Sequence, residues 1–250
     1  MPTTLTRKSW PWLMVSAVGA SRELIPRNTL ANFVRSLLIS IEELLPKDRE
    51  ALLSEPAKLI YNAAKLNKEI GSSTVVVVTI DGKSQKIKTA MIGDSGYMII
   101  RPKSNLTESI GSNSGEGNSE SKWILIDKSQ EQQHGFNFPF QIGSSGDNPR
   151  NSKVAEYEIK KDDIIVVGTD GLFDNLFTEN IIDTIEKYLE QKSFDSNALA
   201  KEIAMVAFNK SIDPYWNSPF AVNARKARYM FRGGKSDDIT VLVGRVESEN

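Results

Sequence analysis

The chain has 250 residues, of which 40% are hydrophobic and 25% charged, and 31 basic and 32 acidic residues give a net charge of −1. This size and balance predict one soluble globular domain with a sizeable core, and they exclude a nucleic-acid or membrane partner held by bulk charge. With no cysteine and one histidine, His134, the chain cannot form a disulfide, a thiolate site or a His-rich zinc site. A bound metal would therefore be held mainly by oxygen, as Mg²⁺, Mn²⁺ and Ca²⁺ are.

The amino-terminal segment 1–21 has three positive charges, counting the terminus, and no acidic residue. This charge weakly resembles an organelle-targeting peptide, but Pro11 and the short apolar stretch 12–18 fit a buried strand about equally well. No apolar run approaches the roughly 18–20 residues that a membrane-spanning helix requires, so membrane insertion is not expected.

Two amphipathic helices are predicted in the first third of the chain. Apolar residues recur at i, i+3, i+4 and i+7 over residues 30–45, and Pro46 ends this pattern. A second helix is predicted to begin at Pro56 and to end before Gly71. Its apolar face is expected to contain Leu59, Ile60, Ala63 and Leu66.

The pattern then changes to short β-branched runs, which predict strands. Seven are expected, at residues 74–80, 86–92, 97–101, 123–126, 154–159, 163–169 and 239–246. The first three are expected to form an antiparallel meander, since Asp81-Gly82 is a strong hairpin signal. Two further helices are predicted at 179–191 and 197–209. Residues 104–121 are predicted to be a flexible loop insertion, because 106–120 is rich in Ser, Gly, Asn and Glu. This arrangement is typical of an α+β domain with antiparallel sheets, here one domain over residues 1–250.

Acidic residues lie at the ends of several predicted strands. Asp170 follows a buried strand with Asp174 four residues later, Asp94 lies between two strands, and Asp237 and Asp238 precede the last strand. Each cluster alone is more often a helix cap, a hairpin turn or a solvated pair than a ligand site. Together, in a chain that lacks other strong ligands, they predict carboxylates that converge on two hard cations. Such ions activate water for in-line attack on phosphorus.

His134 is the residue that any Ser-His-Asp triad would have to use. It lies in the polar and aromatic segment 131–141, which offers several hydrogen-bonding partners. We predict a hydrogen-bonded structural side chain, and a role in proton transfer is the alternative.

Six motifs occur in the order found in the metal-dependent protein phosphatases of type 2C. They are GSST at 71–74, GDSG at 93–96, EQQHGFNFPFQ at 131–141, DGLFDN at 170–175, DPYWNSPFA at 213–221 and RGGKSDDITVL at 232–242. The chain resembles this family over residues 22–246, and it looks most like the branch whose members are often mitochondrial or plastid.

The resemblance implies an α-β-β-α sandwich, in which two antiparallel sheets face each other and a helix pair covers each sheet. It also implies two Mg²⁺ or Mn²⁺ ions, a phosphoserine or phosphothreonine protein substrate, and a metal-activated water in place of a catalytic side chain. By position, Asp170 and Asp237 correspond to metal ligands, and Asp94 and Asp174 to acidic residues of a third, weaker ion. We expect an intracellular monomer, with a mitochondrial location left open.

The resemblance fails near the amino terminus, where the strand region is incomplete. The branch has an Asp-Gly-Val-Gly turn at the place of residues 16–19, and Ser16 stands where its bridging Asp belongs. The preceding Glu-Asp pair has no acidic counterpart in residues 1–11, where Arg7 is a weak substitute for a phosphate-binding arginine. Either the metal site is impaired, or the amino terminus of the sequence is not the native one.

Three interpretations follow from these motifs. The first is a metal-dependent protein serine/threonine phosphatase, and the second is a catalytically impaired pseudophosphatase that binds phosphoproteins. Ser16 is the feature that separates them, because a neutral hydroxyl cannot replace a bridging carboxylate without a severe loss of metal affinity. An unrelated structural α+β domain is the third interpretation, which the six ordered motifs disfavour.

Overall fold

The computed structural model describes the backbone of Trp12–Val18, residues 35, 36 and 39, and residues 54–81, 84–106 and 121–247. The strands of the first sheet are β1 (Trp12–Val18), β2 (Ser72–Asp81), β3 (Lys86–Ile92), β8 (Ile142–Gly143) and β9 (Lys153–Glu158). Those of the second sheet are β4 (Gly96–Pro102), β5 (Trp123–Lys128), β10 (Ile164–Gly168) and β11 (Val241–Arg245). A separate hairpin pairs β6 (Gln133–Gly135) with β7 (Phe138–Pro139).

The strand order is β1-β2-β3-β9 in the first sheet, with β8 beside β2, and β11-β10-β4-β5 in the second. All of these pairings are antiparallel. The helices are α1 (Pro56–Leu66), α2 (Asp170–Phe173), α3 (Thr178–Gln191), α4 (Ser196–Ser211) and α5 (Pro219–Lys226), with short 3-10 helices at Lys103–Asn105 and Pro149–Asn151. Within the described ranges, no helix is both long enough and apolar enough to cross a bilayer.

The β-branched run of β2 separates two layers of the core. Successive side chains of a strand point to opposite faces, so Val75 and Val77 pack with α1, whereas Val76 and Val78 pack towards the second sheet. On its other face the second sheet packs against α3 and α4. The described elements therefore follow the implied α-β-β-α order, with α1 as the described helix on the first sheet and the pair α3 and α4 on the second.

Most of the predicted elements form where the sequence placed them. The seven predicted strands are present with ends within two residues of the prediction. The helices at α1, α3 and α4 are confirmed as well, although Leu66 is 48% exposed and does not belong to the buried face of α1. The predicted helix at 30–45 and the loop at 106–120 lie almost wholly outside the described residues.

The predicted three-strand meander is wrong, because β4 does not lie beside β3. It pairs with β10 and β5 in the second sheet, and the segment between Gly93 and Gly96 crosses from one sheet to the other. At Gly93 the backbone has φ +104, and a Cβ would lie 2.4 Å from the Thr74 side chain, so glycine is required there. A hydrogen bond of 2.8 Å between Thr74 Oγ1 and Ser95 Oγ holds the crossing. Asp94 is thereby brought from the first sheet to the end of the second.

An ion pair away from this crossing ties β4 to the start of β10. The Asp163 carboxylate is fully buried and accepts hydrogen bonds from Arg101 Nε at 2.8 Å and Arg101 Nη2 at 2.7 Å. The backbone N–H of Lys160 donates to the same carboxylate at 2.8 Å. Both charges are removed from water, so each of them depends on the other.

Arg101→Met is expected to lower the free energy of unfolding by about 3–5 kcal/mol, because it leaves a buried carboxylate without its counter-charge. Urea unfolding followed by circular dichroism measures this loss. The matched control is Lys122→Met, which breaks an exposed ion pair with Glu190 and is expected to cost less than about 1 kcal/mol. A loss for Arg101→Met as small as that of the control would contradict the prediction.

Candidate metal centre

Asp170 is the first residue of α2, and Thr169 alone separates it from the buried strand β10. The backbone at this corner is tightly packed. Its Oδ1 accepts a hydrogen bond of 2.9 Å from the N–H of Gly171. A Cβ at Gly171 would lie 2.5 Å from the carbonyl oxygen of Asp238, so only glycine allows this close approach. Thr169 joins the same two segments, since its Oγ1 donates to Asp238 O at 3.0 Å. The corner therefore fixes the 170–174 turn against the residues that precede β11.

Three of the four predicted site residues meet around one ammonium group, that of Lys235. Its Nζ lies 2.6 Å from Asp174 Oδ2, 2.9 Å from Asp170 Oδ2 and 3.1 Å from Asp237 Oδ2. Burial opposes the charge on Lys235, but attraction by Asp174 and Asp170 outweighs this effect, so its pKa lies above the usual value. We call these four residues the Lys235 cluster.

Asp94, the fourth predicted residue, borders a cavity of about 160 Å³ beside the Lys235 cluster, together with Asp174, Glu131, Phe136 and Phe220. Burial raises the pKa of Asp94 to about 7, and the negative charges of Asp170 and Asp174 add to this effect. Burial also raises the pKa of Asp174 to about 7, against the opposing effect of Lys235.

Glu131 is a residue of this cavity that the sequence analysis did not single out. Burial raises its pKa, and the nearby ammonium of Lys128 opposes that change. Glu131 is the first residue of the motif at 131–141, which could have pointed to a role in the site. Nothing in the spacing of the sequence, however, related Glu131 to Asp94 or Asp174.

Asn175 fixes the backbone of Lys235 although 60 positions separate the two residues. Its buried side chain donates through Nδ2 to Lys235 O at 2.8 Å and to Gly171 O at 2.9 Å, and its Oδ1 accepts from Lys235 N at 2.9 Å. The indole of Trp216 in turn donates to Asn175 O at 2.8 Å. Lys235 and Asn175 lie inside two of the six motifs, but nothing in their spacing predicted these roles.

The donor set of the Lys235 cluster fits a hard cation. Among the described residues, no three acidic or histidine side chains already stand at metal-binding spacing. The carboxylates of Asp170, Asp174 and Asp237 instead face one another across the ammonium, which marks one point where positive charge is favoured. Carboxylate oxygens are the ligands that Mg²⁺ and Mn²⁺ prefer.

His134 forms a contact of its own, and for Ser16 the described structure is limited to the backbone. His134 Nε2 is hydrogen-bonded to Asp147 Oδ1 at 2.9 Å and its ring stacks on Phe140 at 4.0 Å, as predicted for a structural side chain. For Ser16 the backbone alone is described, and it pairs with Val76 in the antiparallel register of β1 and β2. The substitution of a bridging Asp by Ser16 therefore stays a prediction.

Comparisons with known proteins identify the family. No protein-family model matches the chain. The protein phosphatase PTC7 homolog of Xenopus laevis is 32% identical over 233 residues, which cover 86% of this chain and 70% of the relative. The X-ray structure of the photosystem II phosphatase PBCP is 25% identical, with a TM-score of 0.75 and coverage of 96% of this chain and 92% of that chain. The chain belongs to the type 2C protein phosphatases, in the PTC7 branch.

A more distant structure shares the fold. The catalytic domain of the serine threonine protein phosphatase PstP, solved in complex with two manganese ions, is 14% identical with a TM-score of 0.51, covering 95% of this chain and 100% of that chain. The chain spans about half the length of other curated relatives, 47% and 43% of two probable protein phosphatases 2C of Arabidopsis thaliana. The resemblance inferred from the six motifs is confirmed at the level of family and fold.

The raised pKa of Asp94 predicts how the stability of the metal-free protein depends on pH. The unfolded carboxyl releases its proton near pH 4, whereas the folded one keeps it up to about pH 7. The folded state thus holds more protons between these values, and stability falls as the pH rises from about 4 to about 7. Asp94→Asn removes the part of this loss that belongs to Asp94, while Asp174, whose pKa is also raised to about 7, keeps its own part. The substitution is expected to raise the free energy of unfolding at pH 8 by about 2–4 kcal/mol.

Urea unfolding in EDTA at pH 5 and pH 8 measures this difference between wild type and Asp94→Asn. The control Asp183→Asn changes an exposed carboxylate on α3 and is expected to leave the pH dependence as it is. An Asp94→Asn protein that loses as much stability as the wild type between pH 5 and pH 8 would show that Asp94 does not carry the effect.

Proposed function

We propose that this chain is a metal-dependent protein serine/threonine phosphatase whose active site is built on Asp170, Asp174, Asp237 and Asp94. One observation carries the proposal: three carboxylates converge on a single cationic position at 2.6–3.1 Å, in a chain of the type 2C phosphatase family. The substrate class is a protein that carries phosphoserine or phosphothreonine. We further propose that residues 1–250 form one such domain, with the loop insertion at 104–121.

Two Mg²⁺ or Mn²⁺ ions would be held mainly by Asp170 and Asp237, with Asp94 and Asp174 beside a third, weaker position. When bound, such ions supply Lewis-acid activation of water and neutralise negative charge on the phosphoryl group in transfer. The two manganese ions of PstP, which shares the fold, support this proposal. The oxygen-only donor set of the Lys235 cluster supports it independently.

The surrounding residues would hold these carboxylates in place during the reaction. Gly171 and Thr169 fix the turn that carries Asp170, and the sheet crossing at Gly93 fixes Asp94 on the opposite side. The cavity between Asp94 and Asp174 gives a phosphorylated side chain access to the carboxylates, and Phe136 and Phe220 line it as apolar walls. A rigid arrangement of this kind is what electrostatic catalysis requires.

The names of the relatives support a phosphatase and give no support to the binding-module interpretation. Ser16 remains the feature on which impaired activity would depend. A mitochondrial or plastid location stays a prediction from the branch that the sequence resembles.

Asp170→Asn and Asp237→Asn are each expected to lower kcat/KM by about 100-fold or more, because each removes a charge from the site that stabilises the transition state. The assay is phosphate release from a phosphothreonine peptide with Mn²⁺, and Asp183→Asn is the control with an exposed carboxylate. A parent protein that releases no phosphate at millimolar Mn²⁺ would refute the catalytic proposal and favour the pseudophosphatase.

Ser16→Asp is expected to tighten Mn²⁺ binding by about tenfold or more, since an added carboxylate raises the charge of the ligand set. It is also expected to raise the rate of phosphate release at low Mn²⁺. Titration with Mn²⁺, followed by calorimetry and by activity, measures both effects. Unchanged affinity in this variant would show that residue 16 does not face the metal site.

A further inference from the structure

We infer that Lys235 is a built-in counter-cation of the candidate metal site, which stabilises the metal-free fold and competes with divalent cations for the same carboxylate oxygens. The inference rests on the proposed function for the location of the metal. The position of the ammonium group itself is a separate observation.

The ammonium of Lys235 donates hydrogen bonds to Asp170 and Asp174 and forms an ion pair with Asp237. A lysine ammonium has three N–H donors, and three carboxylate oxygens, of Asp170, Asp174 and Asp237, lie within 3.1 Å of Nζ. On another side the Phe220 ring centroid lies 5.0 Å from Nζ, within the range of a cation–π contact. The side chain is only 15% exposed, so water screens these contacts far less than those of a surface ion pair.

The backbone of Lys235 is anchored, whereas the recorded hydrogen bonds of its side chain to described residues go to carboxylates alone. Asn175 binds both the N–H and the C=O of Lys235, and the neighbouring Gly234 N–H donates to Asp213 O at 2.9 Å. The ammonium can therefore leave the carboxylates by rotation about its side-chain bonds alone. The inferred exchange with a divalent cation therefore requires no movement of the anchored backbone.

Removal of the Lys235 charge is expected to have two opposite effects, a loss of stability in the metal-free protein and a gain in metal affinity. In the metal-free protein, removal of the ammonium leaves Asp170, Asp174 and Asp237 to repel one another, which destabilises the folded state. In the presence of metal, removal of the ammonium takes away a competitor for the same oxygens, which tightens metal binding. A lysine that served only as packing, or only as a contact to substrate, would not produce the second effect.

The test compares Lys235→Gln with the wild-type chain in two measurements. In EDTA, the variant is expected to unfold about 4–8 °C lower than the wild type. In calorimetric titration with Mn²⁺ alone, the variant is expected to bind about tenfold or more tightly. The matched control is Lys86→Gln, which removes the same charge from an exposed ion pair with Glu156 and is expected to change neither quantity.

Lys235→Arg is a second variant that keeps the positive charge. It is expected to unfold within about 2 °C of the wild type in EDTA and to bind Mn²⁺ no more tightly than the wild type. Tighter Mn²⁺ binding by Lys235→Arg would overturn the inference, because competition would then not depend on the charge.

The other outcomes separate the inference from the proposed function. Mn²⁺ binding by the wild type that Lys235→Gln leaves unchanged or weakens would overturn the inference and leave the metal site standing. An unchanged or higher Tm of Lys235→Gln in EDTA would also overturn it. If neither the wild type nor Lys235→Gln binds Mn²⁺, the proposed metal site fails, and the inferred competition fails with it.

Discussion

Carboxylates gathered at the end of a buried sheet repel one another, and the ammonium of Lys235 compensates for that repulsion at Asp170, Asp174 and Asp237. Lys235 supplies positive charge at the centre of the cluster. Burial is the main cause that raises the pKa values of Asp94 and Asp174 to about 7, and the negative charges of neighbouring carboxylates add to it. Repulsion among these carboxylates destabilises the metal-free protein, and the same negative charge favours the binding of a divalent cation. The carboxylates thus lower the stability of the metal-free fold, whereas the proposed function depends on them.

The two-sheet topology is what brings the charges together. Asp94 belongs to the connection that leaves the first sheet, whereas Asp170 and Asp237 belong to segments that flank strands of the second. The crossing at Gly93 brings Asp94 to the end of the sandwich where the other two lie. Hydrogen bonds of Asn175 hold the segment before β11 against the turn after β10. The site is therefore a product of long-range contacts, and no single motif contains it.

Helices and strands could be predicted well from the sequence, whereas strand pairing and contacts between distant segments could be predicted less well. Continuous β-branched runs located β2 and β10, and these strands are apolar throughout because their two faces pack against two different layers. The sequence pattern could not show that β3 and β4 lie in different sheets, since a Gly-Asp-Ser-Gly segment suits a hairpin and a crossing equally. The acidic residues were predicted from chemistry and motif order, but Lys235 was missed because a lysine among metal ligands contradicts the usual expectation. Pairing across 60 residues, as between Asn175 and Lys235, has no local signal.

The hydrogen bonds between Asn175 and the peptide groups of Lys235 also bear on whether the protein folds before or after it binds metal. Many metal sites assemble only when the ion is present, so that folding waits for the metal. Under the inferred role of Lys235, a chain that carries its own positive charge into the site would complete its fold first and take up the ion afterwards, by exchange of one side chain. The supply of metal would then control the activity of a protein that is already folded.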